Sequence, residues 1–371
     1  MRRIRLLIFA FLLLASPGLT QSYRPSGHHF ITNYSAKEYK SSPQSFDITQ
    51  DNRGIMYFAN VGGVLEYDGE AWRTVTIPTQ RAFSIEKSNS GIIYVGAQDN
   101  FGYLLLRGTE ETQYVSLSDR LKNEQVPTIR NILVSGKWIY FFPEPERQLN
   151  YFYVFNEQTQ QLTKITAKGK ILFSGANNNF ILIQTEAYGL FTVDKHKLLP
   201  AGDTLFWNKT RVKRIFSFDD SLMVCTDKGF YRTNHSLAQL TPVNTLTPLM
   251  SSTRFIQKKE WIVSGSNNGV FVYSVKGDLL FPISKKYNLI DNNVLEIFLD
   301  KDANLWVATE NGISSIDITN GLTYFNFFDG IDGSVDFLGK YRQHVIAQTR
   351  SGAFFLKHKI GLDETESADM S

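Results

Sequence analysis

From about residue 30 onward, polar turns separate short segments that are either apolar throughout or apolar at every second position. In the segment that begins at Val294, an alternating run is followed by a polar turn from Asp300 to Asn304 and an apolar run from Leu305 to Ala308. A glycine, Gly312, then precedes a third alternating run, and an earlier segment repeats this order around Gly63. Alternation with period two predicts strands, and polar turns with glycine predict tight reversals between them.

Glycines in this position return about every 40 residues, with one missing near Arg147. They are Gly63, Gly102, Gly189, Gly229, Gly269, Gly312 and Gly352. Such a period, with several short strands per unit, is typical of a β-propeller blade. Seven units begin near Ser45, Ala82, Thr128, Lys170, Arg211, Ser252 and Val294. The sequence therefore predicts an all-β fold, a β-propeller of seven four-stranded blades.

The second run of each unit is apolar on both faces, which predicts a strand with sheets stacked on either side of it. Aromatic residues recur there, and we interpret them as packing between blades. They are Tyr57, Tyr94, Trp138, Trp261 and Trp306. Weaker fourth strands are predicted at Arg73 to Ile77, Gln113 to Leu117, Leu162 to Ile165, Leu279 to Ile283 and Thr323 to Phe328. Cys225, the single cysteine, lies in a second run and is interpreted as a small buried hydrophobe.

The residues before the first unit bear on how the ring closes. Phe30 to Tyr34 resembles a fourth strand without its blade, and we predict that it completes the seventh blade and closes a propeller over residues 30–318. Residues 322–357 would then form a partial further blade that starts a second propeller. The alternative is a single ring of eight blades, in which Phe30 to Tyr34 completes the eighth unit. Residues 358–371 lack core residues and are predicted to form a disordered tail.

Residues 1–22 are predicted to be a secretory signal peptide, with a single-pass signal anchor as the alternative. Arg2, Arg3 and Arg5 form its basic start, and the apolar stretch from Ile4 to Ala15 is too short to span a bilayer. The sequence therefore favours a periplasmic or extracellular protein. These three arginines account for the whole excess of 39 Lys and Arg over 36 Asp and Glu. The remaining chain is neutral, so no nucleic-acid partner is expected.

No recognised catalytic motif is present in the sequence. It contains no G-x-S-x-G motif and no phosphate loop. No histidine pair has zinc-ligand spacing with a third ligand nearby, so neither a metal nor a cofactor is expected. The stretch from Asp300 to Asn304 is interpreted as a polar turn, because it lacks the central glycine and the distant glutamate of a calcium loop. We expect no catalytic residue, although propellers do host enzymes.

Candidate ligand-binding residues lie on the turns between second and third strands. In a propeller these turns share one face with the connections between blades and surround the mouth of the central channel. The predicted residues are Asn60, Gln98, Arg147, Glu186, Asp227, Asn267 and Glu310, with Asp99 beside Gln98. Connections between blades add Arg81, Arg130, Arg211 and Tyr287. A ring of amides, acids and arginines favours a polar ligand such as an oligosaccharide, and the alternative is that they are ordinary solvated turn residues.

The blades resemble the two-component regulator propeller (Reg_prop) repeat of exported regulators common in Bacteroidetes. Asn293-Val294, Asp300, Leu305-Trp306 and Asn311-Gly312 match its pattern, whereas alanine at positions 303 and 308 replaces a usual glycine. The segments from Asn33 to Tyr39, Gln50 to Phe58 and Gly63 to Gly69 resemble the start of the subgroup whose propellers precede a triple-tyrosine module. The resemblance covers residues 30–357 and is strongest in the first and seventh units.

This resemblance implies an extracytoplasmic ligand-sensing propeller, the sensor portion of a hybrid two-component or triple-tyrosine regulator. Such regulators normally continue with a second propeller, an immunoglobulin-like triple-tyrosine domain, a membrane helix and an output domain. None of these is recognisable in the sequence, which leaves open a truncated gene product. Ligand binding would shift domain or dimer geometry, and a homodimer is left open. The alternatives are a secreted propeller enzyme acting on polysaccharide and a protein-interaction scaffold.

Overall fold

The repeated pattern folds into antiparallel sheets in the computed structural model of the chain. The structure describes residues 27–105, 111–122, 124–177, 180–218, 221–234, 237, 239–244, 254–258, 261–319, 322–325, 330–341 and 344–356. Within these residues there are seven four-stranded sheets and one three-stranded sheet. The chain divides into two compact units, of which Phe30–Asn320 contains all seven four-stranded sheets. The prediction of an all-β propeller with seven four-stranded blades is confirmed.

Each of the seven sheets is one blade. Blade one consists of β2 (Ser45–Gln50), β3 (Met56–Asn60), β4 (Gly63–Tyr67) and β5 (Trp72–Val75). Blade two consists of β6 (Ala82–Lys87), β7 (Ile93–Ala97), β8 (Asn100–Leu105) and β9 (Gln113–Ser116). Blade three consists of β10 (Ile129–Ser135), β11 (Trp138–Pro143), β12 (Tyr151–Asn156) and β13 (Leu162–Thr166). Blade four consists of β14 (Ile171–Asn177), β15 (Phe180–Thr185), β16 (Gly189–Asp194) and β17 (Lys197–Ala201). Blade five consists of β18 (Val212–Phe218), β19 (Ser221–Thr226), β20 (Phe230–Thr233) and β21 (Thr241–Pro242). Blade six consists of β22 (Arg254–Lys258), β23 (Trp261–Ser266), β24 (Gly269–Ser274) and β25 (Leu279–Ile283). Blade seven consists of β26 (Val294–Leu299), β27 (Leu305–Thr309), β28 (Ile313–Ile316) and β1 (Ile31–Tyr34).

Helix is confined to short segments in the described part of the chain. The α-helices are α1 (Ala36–Tyr39) and α2 (Thr204–Asn208). Ser35 and Glu38 form a capping box at the start of α1, and Asp203 caps α2 by accepting a hydrogen bond from the Leu205 amide at 2.9 Å. Both helices lie in connections, so they leave the sheet architecture unchanged.

The first strands of the blades form the inner wall of a closed ring. Each first strand contacts the first strand of the next blade, and β26 of the seventh blade contacts β2 of the first. Seven apolar clusters among the described residues each join one pair of neighbouring blades. The core is therefore a set of layers between sheets, arranged around the ring.

Alternation along the second strands explains how one strand serves two layers. Tyr57 and Ala59 pack into the layer between blades one and two, whereas Phe58 packs into the layer between blades seven and one. Tyr57 and Phe58 are both fully buried. Successive side chains of a strand point to opposite faces, so a strand apolar at every position requires a sheet on each side. The prediction of aromatic packing between blades is confirmed.

The amino-terminal strand closes the ring. β1 pairs antiparallel with β28, from Ile31 opposite Ile316 to Tyr34 opposite Ile313. Blade seven thus receives its fourth strand from the start of the chain, and the eight-bladed alternative is wrong. This pairing removes the free sheet edge that the seventh blade would otherwise expose.

The repeated glycine has a steric reason, which the first and seventh blades illustrate. Gly63 and Gly312 adopt φ angles of 130° and 146°, which side-chain-bearing residues rarely adopt. A Cβ at Gly63 would lie 2.8 Å from the Val75 carbonyl oxygen, and a Cβ at Gly312 would lie 2.9 Å from that of Tyr34. Both oxygens belong to the fourth strand, so this strand can approach only a glycine. In the third blade a 3-10 turn at Pro145–Arg147 occurs instead, with Gln148 at a φ of 54°.

The polar turn of the seventh blade fixes its large tryptophan. Asp300 accepts hydrogen bonds from the backbone amides of Asp302 and Asn304 at 2.9 and 2.8 Å. Its other oxygen accepts a hydrogen bond from Trp306 Nε1 at 2.9 Å. The interpretation of this stretch as a hairpin turn is confirmed. Cys225 is 1% exposed, and burial raises the pKa of its thiol to about 11, as expected for a small core residue.

The described part of the other unit comprises residues 27–29, 322–325, 330–341 and 344–356. Its sheet contains β29 (Val335–Tyr341), β30 (His344–Thr349) and β31 (Gly352–Leu356) in an antiparallel meander. Within residues 322–325, in place of the predicted fourth strand, Tyr324 forms an isolated bridge with His28. A second propeller built on this sheet stays a prediction. The predicted signal peptide, residues 1–22, and the predicted tail, residues 358–371, lie outside the described residues.

Candidate functional site

A recurrent backbone hydrogen bond places the second-to-third turns beside the connections between blades. In six blades, the first residue after the second strand donates its N–H to the carbonyl oxygen of the residue just before the first strand. The pairs are Val61 with Gln44, Gln98 with Arg81, Glu144 with Thr128, Glu186 with Lys170, Asp227 with Arg211 and Glu310 with Asn293, at 2.8 to 3.2 Å. We call the face that carries these turns and connections the upper face. The predicted arrangement of the turns is thus present.

Asn60 holds this turn in the first blade and has no surface left for a ligand. It is 0% exposed and ends β3. Its Nδ2 donates to the carbonyl oxygens of Ser42 and Gln44 at 2.7 and 2.9 Å, and its Oδ1 accepts from the Gly62 amide at 2.8 Å. A fully buried amide that satisfies backbone groups stabilises the turn. Asn60 is therefore excluded from the predicted binding residues.

The other predicted residues lie on the upper face, most of them exposed. Gln98 is half-buried, whereas the exposed members are Arg147, Glu186, Asp227, Asn267 and Glu310. Arg147 Nε lies 3.9 Å from Glu144 Oε2, and Glu186 Oε2 lies 3.7 Å from Lys170 Nζ. Asp227 Oδ1 accepts a hydrogen bond from the Arg211 amide at 2.9 Å. Among the described residues, no hydrogen bond or ion pair joins one of these second-to-third turn residues to another, although Gln98 and Asp227 are bonded to the predicted connection residues Arg81 and Arg211. They share a face without converging on one point.

Arg130 belongs to a group that the sequence did not reveal. It was predicted to lie on a connection, but it lies within β10, where the pairing with β11 skips one residue between Ile129 and Asn131. Within the described residues, the same irregularity occurs in the first strands of five other blades, including β2 between Ser45 and Asp47 and β6 between Ala82 and Ser84. In blades one to three the skipped residues are Phe46, Phe83 and Arg130. Bulges re-aim side chains, and here they occur where three adjacent inner strands begin at the upper face.

These three side chains contact one another. The rings of Phe46 and Phe83 lie 4.9 Å apart between centroids. The Arg130 guanidinium carbon lies 3.9 Å from the centroid of Phe83 and 5.1 Å from that of Phe46. We call this group the mouth cluster. Its only sequence signal is an aromatic residue at the second position of two first strands, which alone is indistinguishable from packing between blades.

Close to the mouth cluster, inner strands carry a group of carboxyl side chains. Asp47 and Glu86 are half-buried on β2 and β6, and Glu296 lies on β26, so they come from three neighbouring inner strands. Burial, followed by the charge of Glu296, raises the pKa of Asp47 well above its usual range. Burial also raises the pKa of Glu86 to about 7. Arg214 Nη2 of the fifth blade lies 4.0 Å from Glu296 Oε1.

Hydrogen bonds partly compensate the buried charge of these carboxyl groups. Asp47 Oδ2 accepts from the Ile85 amide of the next blade at 2.9 Å, and its Oδ1 accepts from the Ile48 amide at 2.9 Å. Both bonds lower the pKa of Asp47, but burial outweighs them. A carboxyl group with a pKa of about 7, such as that of Glu86, can exchange protons near neutral pH.

The described residues contain no group of three or more metal-binding side chains suited to hold a metal ion. In the same part of the chain, no helix has the length and apolar character to cross a membrane. The site is therefore described by its protein groups: a ring of polar turn residues, the mouth cluster and the carboxyl groups of the inner strands.

Comparison with known proteins identifies relatives in structure only. No family model matches the chain, and no curated protein matches its sequence. The extracellular domain assigned to the hybrid two-component system BT3049 of B. thetaiotaomicron superimposes with a TM-score of 0.60 at 16% identity, over 89% of this chain and 48% of that one. The extracellular domain of BT4673 from the same organism gives 0.58 at 16% identity, over 88% and 47%. The chain thus spans about half the length of these extracellular domains.

Enzymes share the same architecture. Virginiamycin B lyase from Staphylococcus aureus superimposes with a TM-score of 0.56 at 12% identity, over 77% of this chain and 98% of the lyase. At such identities, likeness shows the fold and no more. The β-propeller is therefore established, and the activity has to be argued from the residues of the site.

Proposed function

We propose that this chain is the ligand-sensing propeller of an extracytoplasmic regulator of the two-component type, and that it binds a polar ligand such as an oligosaccharide on its upper face. The observation that carries the proposal is a closed ring whose upper face presents exposed acids, amides and arginines on turns tied to rigid strands. Binding residues are commonly found on loops that a rigid scaffold positions. The fold shared with extracellular domains of hybrid two-component systems supports the sensing role.

Signalling in this proposal uses the ring as a rigid body. A ligand held across several blades binds one arrangement of the propeller and its neighbouring domains more tightly than another. An output module, which regulators of this kind carry in the same chain, then reads the shift in domain or dimer geometry. A periplasmic or extracellular location follows from the predicted signal peptide and belongs to the same proposal.

A glycan array followed by calorimetry on the purified chain tests the proposal. The double variant Arg147→Ala, Asp227→Ala should weaken binding of the glycan found while leaving the melting temperature nearly unchanged, because both side chains are exposed. Lys276→Ala with Asp278→Ala is the matched control, since it removes one cation and one acid from an exposed turn between a third and a fourth strand. Binding that survives the first variant would exclude these turns as the site. A chain that binds no glycan would contradict the proposal itself.

A polysaccharide-cleaving propeller enzyme is the second candidate. The observation that favours it is the pair of inner-strand carboxyl groups, Asp47 and Glu86, whose pKa values are both raised by burial. Paired carboxyl groups of this kind perform acid-base catalysis in glycosidases. Incubating the chain with polysaccharides and assaying for new reducing ends or unsaturated products separates the two candidates. Turnover that Glu86→Gln abolishes would replace the sensing proposal with the enzymatic one.

A further inference from the structure

The mouth cluster combines an apolar surface with a cation at the start of three inner strands. Phe46, Phe83 and Arg130 come from blades one, two and three, and all three are partly accessible. Arg130 lies over the Phe83 ring at 3.9 Å, a distance suited to a cation–π contact. Stacking holds the guanidinium in one place, so little side-chain freedom remains to be lost when a ligand binds.

Glu144 orients the guanidinium of Arg130 but cannot neutralise both arginines that lie beside it. Arg130 Nε donates to Glu144 Oε1 at 3.2 Å, and Arg147 Nε lies 3.9 Å from the other carboxylate oxygen. Two arginines therefore share one carboxylate, so the three side chains together carry one net positive charge. The Arg130 side chain remains 34% exposed, and in the described part of the chain its remaining N–H groups donate no hydrogen bond to protein. A guanidinium carries five N–H donors, so an anion can be bound without displacing Glu144.

These features select a ligand with a carboxylate attached to an apolar ring face. A guanidinium binds a carboxylate through two parallel hydrogen bonds, and aromatic rings pack against the C–H face of a pyranose. We propose that Phe46, Phe83 and Arg130 form the subsite for a uronic acid residue of an acidic oligosaccharide. This inference rests on the proposed function, because it names the ligand class and one point of contact on the same upper face.

Of the neighbouring groups, Asp47 and Arg147 favour an anionic ligand, whereas Glu296, whose charge contributes to the raised pKa of Asp47, adds negative charge on the adjacent inner strand β26. Asp47 directly follows Phe46 in β2, and its raised pKa lowers its tendency to ionise beside the subsite. Arg147 projects from the turn that follows β11 and is 60% exposed, so it can meet a second acidic residue of the same oligosaccharide. The subsite thus links the innermost strands to the ring of turn residues.

Calorimetry with a panel of purified oligosaccharides tests the inference. The panel contains oligomers of galacturonate, glucuronate and mannuronate, their neutral hexose counterparts, and sulfated disaccharides. We expect at least one uronate oligomer to bind more tightly than its neutral counterpart. Arg130→Gln should weaken that binding by roughly tenfold or more, since it removes a charge-assisted bidentate contact and leaves an amide to pair with Glu144. Phe83→Leu should weaken it by a smaller factor through loss of the aromatic face.

Controls separate this inference from the proposal on which it rests. Lys276→Gln removes one positive charge from an exposed third-to-fourth turn and should leave the affinity unchanged. Uronate binding that Arg130→Gln does not alter would overturn the subsite, as would preference for the sulfated disaccharides. Binding of neutral oligosaccharides alone, dependent on Arg147 and Asp227, would overturn the subsite and keep the proposed function. A chain that binds none of the panel would overturn the subsite, and absence of binding on the glycan array as well would contradict the proposed function.

Discussion

Replacing Tyr34 with alanine should loosen the closure of the ring. Tyr34 is the last residue of the closing strand, and its ring stacks on Trp306 at 5.8 Å with an interplanar angle of 13°. It also contacts the rings of Trp72 at 5.2 Å and Tyr67 at 5.3 Å. Its hydroxyl lies 3.3 Å from the Tyr67 hydroxyl, and burial followed by this hydrogen bond raises its pKa. These contacts join the start of the chain to blades seven and one.

The magnitude follows from this environment. Truncating a fully buried aromatic residue to alanine costs about 3–5 kcal/mol, and Tyr34 is half-buried. Because Tyr34 is only half-buried, the cost of losing its burial is smaller than this range. Loss of its three aromatic contacts adds to that cost, since each favourable pair contributes about 0.5–1.5 kcal/mol. We expect the free energy of unfolding to fall by about 2–3 kcal/mol and the melting temperature by roughly 5 °C. Tyr34→Phe removes only the hydroxyl contact and should lower the free energy of unfolding by about 1 kcal/mol or less.

Urea denaturation monitored by tryptophan fluorescence measures both effects, because Trp72 and Trp306 lie in the affected cluster. Thr32→Ala is the matched control, since Thr32 lies on the same strand with its side chain exposed. Equal stability of the Tyr34→Ala and Thr32→Ala proteins would refute the reasoning, because the strand would then close the ring without help from its aromatic residue.

Two further predictions concern protonation and backbone conformation. Burial raises the pKa of Glu86 from 4.5 to about 7, so the folded state binds the Glu86 proton more tightly than the unfolded state does. The free energy of unfolding therefore declines as the pH rises from 4.5 to about 7. Glu86→Gln should therefore leave the free energy of unfolding nearly unchanged at about pH 4.5 and raise it by up to about 3 kcal/mol at about pH 8. Urea denaturation measures both values, and an equal effect at the two pH values would disprove this reasoning. Gly312→Ala should cost at least about 1 kcal/mol more than Gly229→Ala, because φ is similar at 146° and 142° but only Gly312 has atoms within 3 Å of a new Cβ. Thermal denaturation compares the two variants, and equal losses of stability would show that the close approach of Ile290 and Tyr34 to Gly312 has no effect.

The blade count and the way the ring closes were determined by local pattern. Each blade is a meander of neighbouring strands, so its turns and alternation are written in consecutive residues. The closing strand was recognisable because Phe30 to Tyr34 resembles a fourth strand with no blade before it, and β1 indeed pairs with β28. The fourth strands of blades four and five, Lys197–Ala201 and Thr241–Pro242, were not predicted, because outer strands are partly exposed and carry little alternation.

The composition of the site was decided by tertiary structure. Whether a turn amide faces solvent or the backbone depends on neighbouring chain segments, and Asn60 is buried against Ser42 and Gln44 for that reason. The mouth cluster depends on bulges in three strands, each of which shifts one side chain without leaving a pattern in sequence. Its members, Phe46, Phe83 and Arg130, are some 40 residues apart in the chain and meet only because the inner strands of successive blades converge. Local periodicity thus specifies the blades, whereas contacts between blades specify the chemistry at the channel mouth.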